Sequence, residues 1–254
     1  MKTIILLLLL SLPCYGQVGR TTYTDFTKDS SCVAYYSFNN DQHDTAIDEG
    51  SNGNNLHGVL TSSPTITTGK EGLGYDFNNG DADYLLIPDN DGLTGSALTA
   101  LCWVNSDDVS TIQQAIFYKY SSSTNQRSWA FGTNTATKAR LQFTISSTAA
   151  SFNGAQVTTD NNVLIVNTWH HVGFVFNGGA TSLDIYVDGV SVPYSFDTGS
   201  IPASAANNTE LLRIGESGTG IGSQAFDGTI DEIAIFDRVL TQAEIKEIYT
   251  YGLK

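Results

Sequence analysis

The sequence predicts an all-β chain: two antiparallel sheets packed face to face as a sandwich, closed by one short C-terminal helix. Short runs rich in β-branched and aromatic residues recur along the chain, separated by clusters of Gly, Asn, Asp and Ser, which is how strands and turns alternate. Helical periodicity is confined to residues 240–249, and no block repeats along the chain, so a solenoid or propeller is set aside. Half-apolar strands in this number need an opposite sheet, because each buries alternate side chains against it.

Residues 1–16 read as a secretory signal peptide, with Lys2, an apolar run over 4–12 and Gly16 as the cleavage position. The run is too short to span a bilayer. Cys14 raises the possibility of lipid attachment, which Pro13 before it suits poorly. Residues 17–31 form a polar lead-in, and residues 32–254 make one domain. The roughly 235 residues left after the signal peptide suit a single sandwich of the larger kind.

The first expected strand covers 33–38. Residues 74–78 and 84–87 follow, joined through Asn79-Gly80-Asp81. Further strands are expected over 100–105, 115–120, 128–132 and 139–146. Residues 169–177 and 182–187 make a hairpin around Asn177-Gly178-Gly179. Asp188-Gly189 then turns the chain into 191–194. Residues 211–214 and 230–236 complete the set. Asp227-Gly228 is the turn before the last strand, since Gly accepts positive φ and Asp bonds its own backbone. Thr241 caps the helix, and Glu244 three residues on completes a capping box. Leu240, Ile245, Ile248 and Tyr249 supply its apolar face. Residues 146–162 and 196–208, rich in small polar residues, read as loops or weak edge strands.

The chain carries 12 Lys and Arg against 26 Asp and Glu, a net charge of −14, which becomes −15 if Lys2 leaves with the signal peptide. A phosphate partner would require a basic stripe, and none is visible. Nucleic acid and anionic lipid are therefore disfavoured, whereas divalent cations and neutral partners are suited. Cys32 and Cys102 remain once Cys14 is removed. In an oxidising compartment they could bridge, or they could be two small buried hydrophobes. Asn207-Asn208-Thr209 is a glycosylation sequon if the host glycosylates.

Several constellations carry chemistry. Asp48-Glu49-Gly50-Ser51-Asn52-Gly53-Asn54-Asn55 gathers oxygens of the kind a hard cation wants, or is simply a Gly/Asn turn; it is not an EF-hand. Asp231 and Glu232 interrupt an apolar strand, and a carboxylate there must be solvated, hydrogen-bonded or cation-bound. His170 and His171 are neighbours on a strand and so point to opposite faces, which argues against zinc; Trp103 and Trp169 read as core. Tyr118, Tyr120, Arg127 and Trp129 flank a polar loop over 121–126 and could stack on sugar rings or pack in the core. The Gly-rich stretch 216–224 is another rim candidate. No Gly-x-Ser-x-Gly elbow and no phosphate-cradling loop is present.

An ordered set of motifs resembles a known family: Ala34-Tyr35-Tyr36-Ser37-Phe38, the Asp48 loop, Tyr75-Asp76-Phe77 with Asp83-Tyr84-Leu85, Leu101-Cys102-Trp103-Val104, Trp169-His170-His171-Val172, Asp184-Ile185-Tyr186-Val187-Asp188-Gly189 and Gly228-Thr229-Ile230-Asp231-Glu232. It is the LamG-like jelly-roll family of concanavalin A-like, laminin-G/pentraxin type. The resemblance runs from about Cys32 to Tyr249. It implies a jelly-roll sandwich and a structural calcium ion shared by the early loop and the last strand, with Asp48, Asn52 and Asp231 as ligands. Glu232 would make a buried hydrogen bond or ion pair. Glu49-Gly50-Ser51 departs from the usual loop pattern. The acidic catalytic strand of enzymes with this fold, Glu-x-Asp-x-x-Glu, is missing. The expected function is thus a secreted, non-catalytic recognition module, stabilised by calcium, that binds carbohydrate or a glycosylated surface through rim loops without inserting into a membrane. The alternatives are an adhesion module that binds a protein partner, and a divergent polysaccharide hydrolase or lyase.

Overall fold

A computed structural model of the chain describes residues 23–254 apart from 43, 52, 82, 111–112 and 219–223. The expected signal peptide over 1–16 and Asn52 lie outside the described residues. The strands run in chain order as β1 (Cys32–Tyr36), β2 (Thr45–Ala46), β3 (Gly58–Thr61), β4 (Thr65–Thr68), β5 (Leu73–Phe77) and β6 (Tyr84–Ile87). The next are β7 (Ala97–Ser106), β8 (Ala115–Ser121), β9 (Gln126–Thr133), β10 (Leu141–Ser146), β11 (Gly154–Thr159) and β12 (Trp169–Asn177). They end with β13 (Ser182–Val187), β14 (Val190–Val192), β15 (Tyr194–Gly199), β16 (Leu212–Ile214) and β17 (Gly228–Phe236), before helix α1 (Gln242–Tyr251).

Two antiparallel sheets result. The first runs β14-β13-β12-β7-β17-β5-β4, with β1 also paired to β17, and the second runs β15-β11-β10-β9-β8-β16-β6-β3-β2. Between them lies the main core. Phe174 of the first sheet has its ring centroid 4.4–5.6 Å from those of Trp129, Phe131 and Phe143 of the second. Trp129 is fully buried and donates its indole N–H to Leu93 O at 2.7 Å. A smaller core on the outer face of the first sheet joins Tyr35, Leu101, Val175, Ala234 and Phe236 to Ile245, Ile248 and Leu253 of the C-terminal segment. The expected capping box of Thr241 and Glu244 is formed in both directions.

The expected strands are present. The small polar stretches contain two more, β11 and β15, which pair at one end of the second sheet. Of the two readings of Cys32 and Cys102, the structure shows two buried cysteines and no bridge between them. Cys32 and Cys102 are buried on strands with β17 between them, so two strand spacings of about 4.8 Å each separate their backbones, beyond the roughly 7 Å a bridge can span. Cys32 also faces the helix-side core, whereas Cys102 faces the core between the sheets.

β17 is the strand that joins these parts. Its first residues pair with β5 and its last with β1, leaving Asp231 and Glu232 at the junction. Against β7, the register shifts between Asp231 and Ala234. This is a β-bulge, and Glu232 sits in it at φ +49°, the left-handed region that a bulge can impose on a residue other than glycine. The extra residue breaks the alternation once. Ile230, Ile233 and Ile235 all point into the main core, while Asp231 and Glu232 both face outward.

Candidate functional site

The outer face of the second sheet carries a groove of about 200 Å³. Cross-strand register builds it. Tyr118 on β8 stands opposite Ala130 on β9, which stands opposite Thr144 on β10, followed by Gln156 on β11. A second row places Gly132 opposite Gln142, and Gln142 opposite Thr158. Ala130 and Gly132 thus form a low floor between two walls. Two strand steps between the walls span about 10 Å. A Cβ on Gly132 would meet Gln114 O at 2.2 Å, so the packing of the neighbouring strand dictates the glycine.

Tyr118 and Tyr120 form one wall. Both are half-buried, with ring centroids 6.0 Å apart and planes at 70°. The other wall is a chain of amides. Gln224 Nε2 donates to Gln113 Oε1 at 2.8 Å, and Gln113 Nε2 to Gln142 Oε1 at 3.4 Å. Gln156 Nε2 donates to the same Oε1 at 3.1 Å. Gln142 Nε2 in turn reaches Thr158 Oγ1 at 3.1 Å and Asp197 Oδ2 at 3.2 Å. Mutual bonding holds these amides in fixed rotamers, and their remaining donors and acceptors are ready for a hydroxyl-bearing ligand. Among the described residues the lining contains no Asp or Glu, so these residues do not supply the two opposed carboxylates that a glycosidase needs.

Sequence reasoning singled out Tyr118 and Tyr120 but missed the glutamines. The cue was present: Gln142/Thr144 and Gln156/Thr158 are polar at alternate positions of strands whose other residues are apolar. Trp129, grouped with the tyrosines, belongs to the core. Arg127 is spent on the backbone of the neighbouring loop, donating to Ala150 O at 2.7 Å and to Ser122 O at 3.2 Å.

Asp48 and Asp231, two of the three residues expected to hold calcium, each accept backbone amides. Asp48 Oδ1 accepts the N–H groups of Tyr35 at 3.0 Å and Gly50 at 2.9 Å, and Oδ2 accepts that of Leu56 at 3.0 Å. Asp231 Oδ1 accepts the N–H of Glu232 at 2.7 Å and Oδ2 that of Glu71 at 3.0 Å. The two carboxylates serve separate sets of amides, and no group of three or more His, Cys, Asp or Glu among the described residues is arranged to hold a metal ion. Oxygens surrounded by N–H donors are poor cation ligands, because the donors occupy the lone pairs and repel the ion. The described part of the set does not fit calcium. Asp48 acts instead as a clasp on its loop, and Asp48→Ala is expected to cost about 2–4 kcal/mol by orphaning buried amides, read as a lowered urea midpoint.

A second cavity of about 240 Å³ lies between the first sheet and the C-terminal segment, lined by Lys70, Trp103, His171, Glu232 and Tyr249 among others. Lys70 Nζ sits 4.1 Å above the Trp103 ring. Burial pushes the Glu232 carboxyl up to about 7 and Asp231 up to about 6, while it pulls His171 down to about 4. Tyr35 donates its hydroxyl to Glu232 Oε2 at 2.8 Å, the buried hydrogen bond expected of this residue. His170 lies on the other face of β12 with Asp188, Nδ1 to Oδ2 at 2.9 Å, so the two histidines do not converge. Trp103 is buried beneath the helix, and Trp169 is half-buried at a strand end.

Comparison with known proteins agrees with this architecture. No curated protein matches the chain. Among solved structures, it resembles domain 4 of AbnA, an extracellular GH43 arabinanase from Geobacillus stearothermophilus, in complex with arabinotriose: the TM-score is 0.60 at 17% identity, over 86% of this chain and 98% of that one. It resembles the botulinum neurotoxin serotype D ligand-binding domain in complex with N-acetylneuraminic acid, with a TM-score of 0.61 at 11% identity, over 87% of this chain and 51% of that one. The binding domain of botulinum neurotoxin DC in complex with rat synaptotagmin II gives 0.64 at 14% identity, over 88% and 52%. The chain therefore spans about half of those toxin domains. Residues 79–246 match a laminin G family, and on that match, which covers about two thirds of the sequence, the chain belongs to the concanavalin A-like lectin/glucanases superfamily.

Proposed function

We propose that the chain is a secreted, non-catalytic carbohydrate-recognition domain whose binding site is the groove on the outer face of the second sheet. The observation that carries this reading is the pairing of a tyrosine wall with a bonded amide wall across a floor of Ala130 and Gly132. A sugar ring offers an apolar C–H face to an aromatic ring and hydroxyls to amides, and such a groove meets both needs at once. Two solved structures of similar fold contain a saccharide, arabinotriose in one and N-acetylneuraminic acid in the other, which supports a sugar as the ligand class. Export is supported by the apolar N-terminal stretch behind Lys2, and no helix among the described residues is long and apolar enough to cross a membrane.

Glycan arrays followed by titration calorimetry test the proposal. Tyr118→Ala and Gln142→Ala are each expected to weaken binding at least about tenfold, the loss of one or two well-placed contacts, with the circular dichroism spectrum retained. A protein partner captured while every glycan stays blank would favour the adhesion reading, for which the neurotoxin domain bound to synaptotagmin II is the precedent. Release of reducing ends from a polysaccharide would favour the enzyme.

Calcium as a structural ion, with Asn52 completing Asp48 and Asp231, is carried by the family resemblance rather than by the described geometry. Because the Asp48 and Asp231 oxygens are engaged with amides, millimolar calcium is expected to leave the melting temperature unchanged. A rise that disappears in Asp231→Ala would restore the ion.

A further inference from the structure

The same groove carries information about which sugars it accepts, and this inference rests on the carbohydrate reading above. We infer that the groove takes a neutral polysaccharide with a twisted chain in solution and rejects both acidic glycans and flat, crystalline ones.

The charge argument starts from the lining, whose polar groups are amides and hydroxyls throughout: Gln113, Gln142, Gln156, Gln224, the threonines and the two tyrosines. Such groups both donate and accept, which matches a sugar hydroxyl but gives a carboxylate or sulfate no counter-charge. The margins add repulsion. At the β15 end, exposed Asp197 accepts from Gln142 and from the Thr158 hydroxyl at 2.6 Å. Beyond the tyrosine wall, Arg213 of β16 stands opposite Tyr118, but its guanidinium is committed to Glu210 at 2.6 Å and lies 3.9 Å from Glu216. That corner holds two carboxylates for one cation. Glu216 is also buried, and its Oε1 has no hydrogen-bond partner. An anionic chain entering the groove would meet negative charge at both sides, and the cation beside the Tyr120 hydroxyl, Arg127, is already spent on the carbonyls of Ala149, Ala150 and Ser122.

The shape argument comes from the two rings. Successive sugars of a flat ribbon present parallel faces, so a surface that reads such a ribbon holds its aromatic rings coplanar. Tyr118 and Tyr120 are close enough to serve one chain, at 6.0 Å between centroids, but their planes differ by 70°. A chain that stacks on one ring must turn before it meets the other.

Affinity electrophoresis and pull-down of the intact chain test the inference. The panel contains neutral twisted chains (linear arabinan, soluble α-glucan, β-1,3-glucan), acidic chains (polygalacturonate, heparin) and microcrystalline cellulose. The expected result is retardation by at least one neutral twisted chain, at least tenfold weaker retardation by each acidic chain at equal sugar concentration, and no depletion by cellulose. In Tyr120→Ala, which removes one of the two rings, retardation by the neutral chain should fall at least fivefold. Depletion by cellulose, or acidic chains binding as tightly as neutral ones, overturns the inference while leaving carbohydrate recognition in place. Binding to none of the panel, with a blank glycan array, removes both.

Discussion

Asp89→Ala is expected to lower the stability of this domain by about 3 kcal/mol, the low end of what breaking a buried ion pair costs. Lys119 lies on β8 with its side chain turned into the protein and fully buried. Its Nζ donates to Asp89 Oδ1 at 2.6 Å and to Glu210 O at 2.6 Å. Burial pulls its ammonium below the usual lysine value, and the Asp89 carboxylate offsets part of that cost. Without Asp89 a buried cation is left with one carbonyl. Asp89 itself is 30% exposed, so water reaches the vacated position, which keeps the loss at the low end. For a domain of this size the melting temperature should fall by about 6–12 °C. Adding Lys119→Met to Asp89→Ala should recover most of the loss, since an apolar side chain there removes the buried charge and leaves only the Glu210 carbonyl without its donor. A single mutant that melts within a degree of the parent would show that this pair does not carry the stability assigned to it.

Glu232→Gln is expected to stabilise the protein at neutral and alkaline pH and to have little effect near pH 4. The folded chain holds the Glu232 proton up to about 7 against an ordinary value of 4.5, chiefly because burial penalises the charged form. The native state therefore binds more protons than the unfolded chain between those values. Stability attributable to this group is fully present below about pH 4.5 and is lost as pH rises through 7. A shift of this size corresponds to roughly 3 kcal/mol, and Gln avoids the penalty while still accepting the Tyr35 hydroxyl. Asp231→Asn should behave differently. Asp231 is also raised, to about 6, but amide N–H groups point at both of its oxygens. An Asn side chain would set an NH₂ against one of them, at a cost of about 1–3 kcal/mol. Melting curves between pH 4 and 9 for both variants check the contrast: a Glu232→Gln curve parallel to that of the parent refutes the assignment.

Much of the scaffold was legible because it depends on local pattern. The β-rich run of residues 169–177, the Asp188-Gly189 turn and the Thr241/Glu244 capping box are each written within a few neighbouring residues. What could not be read depends on register. Gln142 and Gln156 become one wall only because β10 and β11 pair with Thr144 opposite Gln156, and Gln113 and Gln224 join them from segments 111 residues apart. Whether Cys32 and Cys102 bridge was open in the sequence because spacing says nothing about the strand between them. A buried carboxylate such as Asp48 or Asp231 has two common fates, a cation or a ring of amides, and sequence does not distinguish them.

The kink at Glu232 has a consequence for how such a chain can change over time. From Ile233 onward, every side chain lies on the face it would occupy if Glu232 had never been inserted. A descendant that lost this one codon would keep the frame of its sheet and its helix dock. It would lose its neutral-range proton store in the same step, so pH response and architecture can be inherited separately.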